Sequence, residues 1–134
     1  MNFIIDGKPQ GKQRPRVTRG GRHSYTPKET KDYQKKVIKS FIDSEGLNLG
    51  SVPIKVKMDC YYQIPKSMPK YKRKMVVEGS LFPLVKPDVD NVAKCVLDGL
   101  NGHAYKDDSC VVELVVSKFY SENPRIEVTL TEVL

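Results

Sequence analysis

Five aspartates within residues 86–108 are the side chains best suited to chemistry. Asp88 and Asp90 form an Asp-X-Asp pair, Asp98 follows, and Asp107 and Asp108 stand side by side. Carboxylates that converge on one site repel each other unless a cation lies among them. Carboxylate oxygens combined with substrate phosphate are the usual environment of Mg²⁺. The segment therefore predicts a divalent-cation site, with Mg²⁺ as the expected ion and Mn²⁺ as the alternative.

A helix must hold the first of these aspartates. Pro87 disfavours helix for the residue before it, so we expect the helix to enter abruptly near Asp88 and to end near Leu100. Its expected core stripe comprises Val89, Val92, Ala93, Val96 and Leu100. Asp90, Lys94 and Asp98 are spaced i, i+4, i+8 and share one face. On that face, Lys94 could stabilise charge on a phosphoryl group or help position an attacking water.

Simpler interpretations stay open at this point. Asp88 and Asp90 are also favourable caps for a helix N-terminus, with or without a metal. Asp107 and Asp108 are typical of a turn. The i, i+4, i+8 series is also typical of an exposed ladder of ion pairs. The surrounding charge distribution helps to choose between these alternatives.

Two basic segments precede the aspartates in the sequence. The 134 residues include 23 Lys+Arg and 16 Asp+Glu, a net charge of +7. Residues 8–22 and 65–77 contain no acidic residue. Their cations are the candidate phosphate-binding residues, and together with Asn91 they form the predicted DNA-binding set. These cations are Lys12, Arg14, Arg16, Arg19, Arg22, Lys66, Lys70, Lys72, Arg73 and Lys74. One such run alone is as typical of a solvated loop as it is of a phosphate-binding segment. Two runs combined with an opposing acidic cluster favour a metal-dependent phosphodiester site.

The composition is that of one ordinary globular domain, expected to span residues 1–134. It is 39% hydrophobic and 29% charged, and no apolar run reaches the roughly 20 residues that span a bilayer, so no membrane partner is expected. The three cysteines lack CxxC spacing, which predicts free thiols. Because the first residues also do not resemble a signal peptide, a cytoplasmic location is expected. No Walker loop or zinc-ligand spacing is present, so no small-molecule cofactor is expected.

The remaining pattern predicts the order β-α-β-α-β-β. This is an α+β domain with a mixed, largely antiparallel sheet and two main helices. Thr26, Pro27 and Glu29 are typical of a capping box that starts the first helix. Residues 8–24 read as a basic loop, and 64–74 as a second basic loop or a short helix. Strands are expected near 3–5, 52–60, 111–120 and 126–130. The strand at 111–120 is expected to be central in the sheet because most of its residues are apolar. A turn at 123–124 is expected to connect it to the last strand.

These motifs resemble the RusA family of Holliday junction resolvases, particularly its phage and prophage members. The resemblance rests on Lys86-Pro87-Asp88-Val89-Asp90-Asn91, Lys94, Leu97-Asp98-Gly99-Leu100-Asn101 and Asp107-Asp108-Ser109 followed by Val111-Val112. Gly11-Lys12-Gln13-Arg14-Pro15-Arg16 and Tyr25-Thr26-Pro27 resemble the basic opening of the family. The likeness covers essentially the whole chain.

The resemblance implies a homodimeric, Mg²⁺-dependent endonuclease that cuts four-way DNA junctions by paired nicks. It implies that Asp88 and Asp90 bind the metal together with Asp108, for which Asp107 is the alternative, and that Lys94 is the essential lysine. Asn91 and Asp98 occupy motif positions whose roles stay open. The competing functions are a non-catalytic protein that binds branched DNA and a nuclease that acts on flaps or other branches.

Overall fold

The structure is a computed structural model that describes residues 1–13, 16–18, 20–21 and 24–134, apart from the side chain of Arg16. It is an α+β domain, as predicted from the sequence. The elements in chain order are β1 (Asn2–Asp6), β2 (Arg16–Val17), β3 (Ser24–Tyr25), α1 (Lys28–Asp43), β4 (Ile54–Gln63), α2 (Lys70–Val77), α3 (Val89–Leu100), β5 (Val111–Ser121) and β6 (Arg125–Glu132), with a 3-10 turn at Asp108–Cys110.

A four-stranded mixed sheet forms the centre of the domain, in the order β1-β6-β4-β5. Only β4 and β5 run parallel; the other neighbours are antiparallel. Strand β4 buries every second side chain from Ile54 to Tyr62, which confirms the predicted period of two. Helices α1 and α3 pack against each other and against the sheet, so the core lies between them and its inner face.

Strand β5 lies at the edge of the sheet, and the predicted central position is wrong. Its apolar residues do not reflect burial on both sides, because Val112, Leu114 and Val115 are exposed. Consecutive strands β5 and β6 are not neighbours either, because β4 lies between them. The connection through 122–124, which includes the predicted turn, therefore joins two strands on opposite sides of β4.

Helix α3 begins at Val89 and ends at Leu100, close to the predicted bounds. Val89 is exposed rather than part of the core stripe, and Cys95 and Gly99 are buried in addition to the predicted residues. A Cβ at Gly99 would stand 3.3 Å from the Cβ of Val37 on α1. Glycine at this position therefore allows the two helices to approach closely.

Three further local expectations change. Helix α1 begins one residue later than predicted: Pro27 occupies the N-cap position and no side chain caps the helix, so the capping box is wrong. Within the first basic segment, β2 and β3 form a short antiparallel hairpin where a loop was predicted. Within the second, a loop at 64–69 leads into α2. None of the helices in the described part of the chain is long and apolar enough to cross a bilayer.

All three cysteines are free thiols in the structure, as predicted. Cys60 and Cys95 are buried in the core, and Cys110 is half-buried. Burial raises the pKa of Cys60 to about 12 and that of Cys95 to about 11. Both buried thiols therefore stay protonated and unreactive at neutral pH.

Candidate active site

Asp88 occupies the N-cap position of α3, but it does not cap the helix. Its backbone is extended, with φ −72° and ψ 155°, and its side chain makes no capping hydrogen bond. The carboxylate is 53% exposed. Because an N-cap aspartate normally accepts a bond from a first-turn N–H, the capping interpretation fails for Asp88. Its carboxylate is therefore not held by the backbone of the helix.

A polar cleft of about 550 Å³ lies beside the start of α3. It brings together five predicted residues: Lys12, Asp88, Asp90, Asn91 and Lys94. The residues that line it are Lys12, Gln13, Lys86, Asp88, Asp90, Asn91 and Lys94. Three lysines therefore accompany two aspartates, so the cleft suits a ligand that needs both anionic donors and positive charge, such as a phosphate with a divalent cation.

The N-terminal basic segment is fixed against α3 by its backbone. The N–H of Lys12 donates to the carbonyl oxygen of Asn91 at 3.2 Å, and the N–H of Gln13 donates to the buried Thr30 hydroxyl at 3.2 Å. A Cβ at Gly11 would stand 3.0 Å from the Cβ of Pro87 and 3.1 Å from that of Asn91. Glycine is needed here so that the segment can pass this close and form one wall of the cleft.

The ion pairs of the cleft differ from the predicted ladder. The Lys12 Nζ lies 2.6 Å from Asp98 Oδ2, and both side chains are 33% exposed. Lys86 Nζ lies 3.7 Å from Asp88 Oδ2. Neither Asp90 nor Lys94 forms an ion pair with any residue in the described ranges. The ladder of Asp90, Lys94 and Asp98 is therefore absent from that part of the chain, and Lys94 is available for a ligand.

Asp107 and Asp108 have different surroundings. Asp107 is the N-cap of the 3-10 turn, and its Oδ2 accepts a hydrogen bond from the Ser109 N–H at 3.1 Å. Hydrogen bonding to Ser109 lowers the pKa of Asp107. Asp108 begins the turn and is exposed. Asp107 is thus occupied by the local structure, and Asp108 is the carboxylate of the pair that is free for another role.

The third predicted ligand does not meet the first two in this arrangement. Neither Asp107 nor Asp108 is among the described residues that line the cleft. Within the described ranges, no group of three His, Cys, Asp or Glu side chains is placed to hold a metal. The donor chemistry of Asp88 and Asp90 nevertheless fits Mg²⁺, since this ion commonly takes one or two carboxylates and completes its shell with water and phosphate.

Tyr105 is influenced by the aspartates that lie outside the cleft. Its side chain is fully buried, and its hydroxyl donates to the carbonyl oxygen of Leu97 at 2.7 Å, near the end of α3. Burial raises its pKa, and the charges of Asp108, Asp98 and Asp107 raise it further. The charges of three aspartates therefore act on one buried phenol, whose hydroxyl is bonded near the end of α3 that is remote from Asp88.

The entry into α3 is fixed by a second tyrosine. The Tyr62 hydroxyl donates to the carbonyl oxygen of Pro87, directly before Asp88. Burial raises the pKa of Tyr62, and the charges of Cys60 and Asp88 add to the effect. Because Tyr62 belongs to β4, this bond ties the backbone directly before Asp88 to a strand that is paired on both sides.

The predicted DNA-binding cations differ in their partners and in their exposure. The Arg73 guanidinium donates to the carbonyl oxygens of Met68, Pro65 and Lys66, so it holds the loop before α2 together. Lys66, Lys70, Lys72 and Lys74 are exposed, and Lys12 is paired with Asp98. Arg14, Arg19 and Arg22, with the side chain of Arg16, lie outside the described residues.

Sequence reasoning missed three residues at this site. Gln13 and Lys86 line the cleft, and Tyr105 lies among the more distant carboxylates. Lys86 and Gln13 stand beside predicted residues, so their proximity in sequence was a usable signal. Tyr105 gave none, because one aromatic residue in a short connection reads as ordinary core.

Comparison with known proteins identifies the family of this chain. Residues 6–131 match the family model described as endodeoxyribonuclease RusA, which is nearly the whole chain. The chain belongs to the RusA family, a family of DNA endonucleases. Its predicted family resemblance is therefore confirmed.

A relative in Bacillus subtilis (strain 168) is similar over almost its full length. The two proteins are 42% identical over 139 aligned residues, which cover 99% of this chain and 96% of the relative. That protein carries the description "Uncharacterized protein YqaN". It supports a shared fold and leaves the substrate to be argued from the site.

Proposed function

We propose that this protein is a Mg²⁺-dependent endonuclease that resolves four-way DNA junctions by paired nicks. The observation that carries the proposal is the Asp88 carboxylate, which does not cap its helix and shares a cleft with Asp90 and Lys94 in a chain of the RusA family. Family membership favours catalysis over a non-catalytic DNA-binding protein. The positive lining of the cleft and the exposed lysines near α2 suit a branched polyanion.

In this proposal, Asp88 and Asp90 hold Mg²⁺, or Mn²⁺ as the alternative, and Asp108 completes the ligand set. Bound there, the ion supplies an activated water and neutralises charge on the scissile phosphate. The free state of Asp108, in contrast with the capping role of Asp107, supports Asp108 as the third ligand. Since Asp108 lies outside the cleft lining, it must approach the pair in the complex with DNA.

The side chains of the cleft divide the remaining tasks. Lys94 stabilises the charge that develops on the phosphoryl oxygens, and its ammonium is free to do so because none of the described residues forms an ion pair with it. Lys86 and Lys12 keep positive charge at the rim, where the strand backbone enters. The backbone carbonyl oxygen of Asn91 accepts the bond that holds the basic segment. This bond does not use the side-chain amide of Asn91, which is therefore available to contact DNA.

A substitution of one ligand tests the catalytic assignment. We expect Asp90→Asn to lose Mg²⁺-dependent cutting of a synthetic four-way junction while retaining junction binding, because the fold does not use this carboxylate. Asp43→Asn is the matched control, since Asp43 is an exposed aspartate at the far end of α1. Cutting by Asp90→Asn at the wild-type rate would exclude Asp90 as a ligand.

A parallel substrate comparison tests the choice of function. Junction, flap and linear duplex are incubated with Mg²⁺, with Mn²⁺ or with a chelator, and the products are mapped on both strands. Symmetric nicks in the junction are the expected result. Preferential cutting of flaps would identify a flap nuclease, and binding without cutting under every condition would identify a DNA-binding protein.

A further inference from the structure

A second, smaller pocket adjoins the cleft. It has a volume of about 280 Å³, and Lys86 lines both spaces. The apolar part of its lining consists of Pro9, Tyr62, Val85 and Pro87, which come from three separate segments of the chain. Because the two spaces meet at Lys86, one extended ligand can occupy the cleft and the pocket together.

The walls of this pocket are fixed before a ligand binds. The Lys118 ammonium donates to the carbonyl oxygen of Val85 at 2.6 Å, and the Tyr62 hydroxyl donates to that of Pro87. Both bonds tie the segment before α3 to the sheet, since Lys118 lies on β5 and Tyr62 on β4. A preformed pocket suits a rigid ligand, because little chain entropy is lost on binding.

The polar groups of the pocket indicate what it binds. Its prolines have no N–H, and the carbonyl oxygens of Val85 and Pro87 already accept bonds from the sheet. The charged and amide side chains that line it are those of Lys8, Gln63 and Lys86, all exposed. Within the described part of the chain, the Gln63 amide makes no hydrogen bond. Two ammonium groups attract phosphate, and a free amide offers a donor beside an acceptor, as the edge of a nucleobase requires.

We propose that this pocket binds one nucleobase of the DNA strand whose phosphate lies in the cleft, an inference that rests on the proposed function. The base lies against the proline and tyrosine side chains, Gln63 bonds to its edge, and Lys8 and Lys86 bind the neighbouring phosphates. A base enters only after it leaves its stack, and this costs least where base pairing is already interrupted. The pocket therefore favours cutting beside a branch point, and Gln63 determines which base is accepted there.

A fluorescent base tests occupancy of the pocket without requiring cleavage. The adenine analogue 2-aminopurine is placed at successive positions around the centre of a four-way junction, with Ca²⁺ in place of Mg²⁺ to prevent cutting. Because this base brightens when it leaves its stack, one position should brighten several-fold with the wild type. Val85→Phe, which fills the pocket, should bind the junction but abolish the brightening, whereas the similarly exposed Ile42→Phe should preserve it. Junction binding without brightening at any position, or brightening that Val85→Phe preserves, would overturn the proposal.

Cutting rates test the selection by Gln63. Four junctions that differ only in the base at the brightening position are cut with Mg²⁺, and their rates are compared. The wild-type rates should span about fivefold or more, and Gln63→Leu should reduce this span to within about twofold while leaving junction affinity unchanged. Gln10→Leu is the matched control, because Gln10 is exposed and lines neither space. Equal wild-type rates, or an unchanged span in Gln63→Leu, would contradict the role of Gln63. Brightening without any cutting would refute the proposed function while leaving the pocket intact.

Discussion

The ion pair of Lys12 and Asp98 should couple the N-terminal segment to α3 by about 1 kcal/mol. At the observed 2.6 Å and an effective dielectric constant of about 20, the attraction is about 6 kcal/mol. The loss of hydration and of side-chain freedom offsets most of it, and each side chain is one-third exposed. A net coupling of about 1 kcal/mol remains, at the upper end of the range for exposed pairs.

A double-mutant cycle measures this coupling. Urea unfolding is followed for the wild type, Lys12→Met, Asp98→Asn and the double variant, and the free energies of unfolding are combined. The pair of Lys39 and Asp43 is the matched control. Its Nζ and Oδ2 atoms lie 2.7 Å apart, but its side chains are 76% and 61% exposed. We expect a several-fold smaller coupling there. Equal couplings at both sites, or none at Lys12 and Asp98, would refute the reasoning from burial.

The cycle also has a functional readout. Lys12 lines the cleft, and its backbone N–H bonds to Asn91, so loosening this segment should displace one wall of the site. We expect Lys12→Met to weaken junction cleavage more than junction binding. If cleavage and binding fell equally, Lys12 would act only as a DNA contact.

Three further perturbations follow from packing and protonation. Gly11→Ala should destabilise the fold by about 1–3 kcal/mol and reduce cleavage, because its methyl group would stand only 3.0 and 3.1 Å from the Cβ atoms of Pro87 and Asn91; unchanged unfolding and cleavage would show that the segment can move aside. Tyr105→Phe should cost about 1–2 kcal/mol in urea unfolding because it leaves a helix carbonyl unpaired, whereas the exposed Tyr71→Phe should cost nothing measurable. The raised pKa values of Cys60 and Cys95, about 12 and about 11, mean that the native state keeps protons that the unfolded state loses. Stability from these thiols is therefore fully present below pH 9 and should fall progressively from pH 9 to 12; a flat urea midpoint over this range would contradict their burial.

Local chemistry made much of the fold predictable. Pro87 and the apolar spacing after it defined α3 to within one residue, and strict alternation defined β4. The place of β5 in the sheet was not predictable in this way. An apolar strand can be buried between two neighbours, or it can lie at an edge that a partner covers, and a single sequence does not separate these cases.

The site was predictable in its residue types more than in its contacts. The cleft brings together Asp88, Asp90 and Lys94, which their spacing placed on or near one helix. The bond between Lys12 and Asp98 joins residues 86 positions apart, and no local pattern indicates such a pair. Nor does the sequence show that Asp107 caps a turn while Asp88 leaves its helix uncapped, because aspartate has the same propensity for both positions.

The central position of β4 also has a consequence for how the chain is made. Both neighbours of β4 come from the last quarter of the sequence, and β1 pairs only with β6, with Asn2 opposite Thr129. During synthesis, β1 and β4 must therefore wait, unpaired with their sheet neighbours, until the residues after 111 have been made. Long-range pairing of this kind slows folding and exposes strand edges meanwhile. The nascent chain should thus depend on holding factors until its final strands emerge.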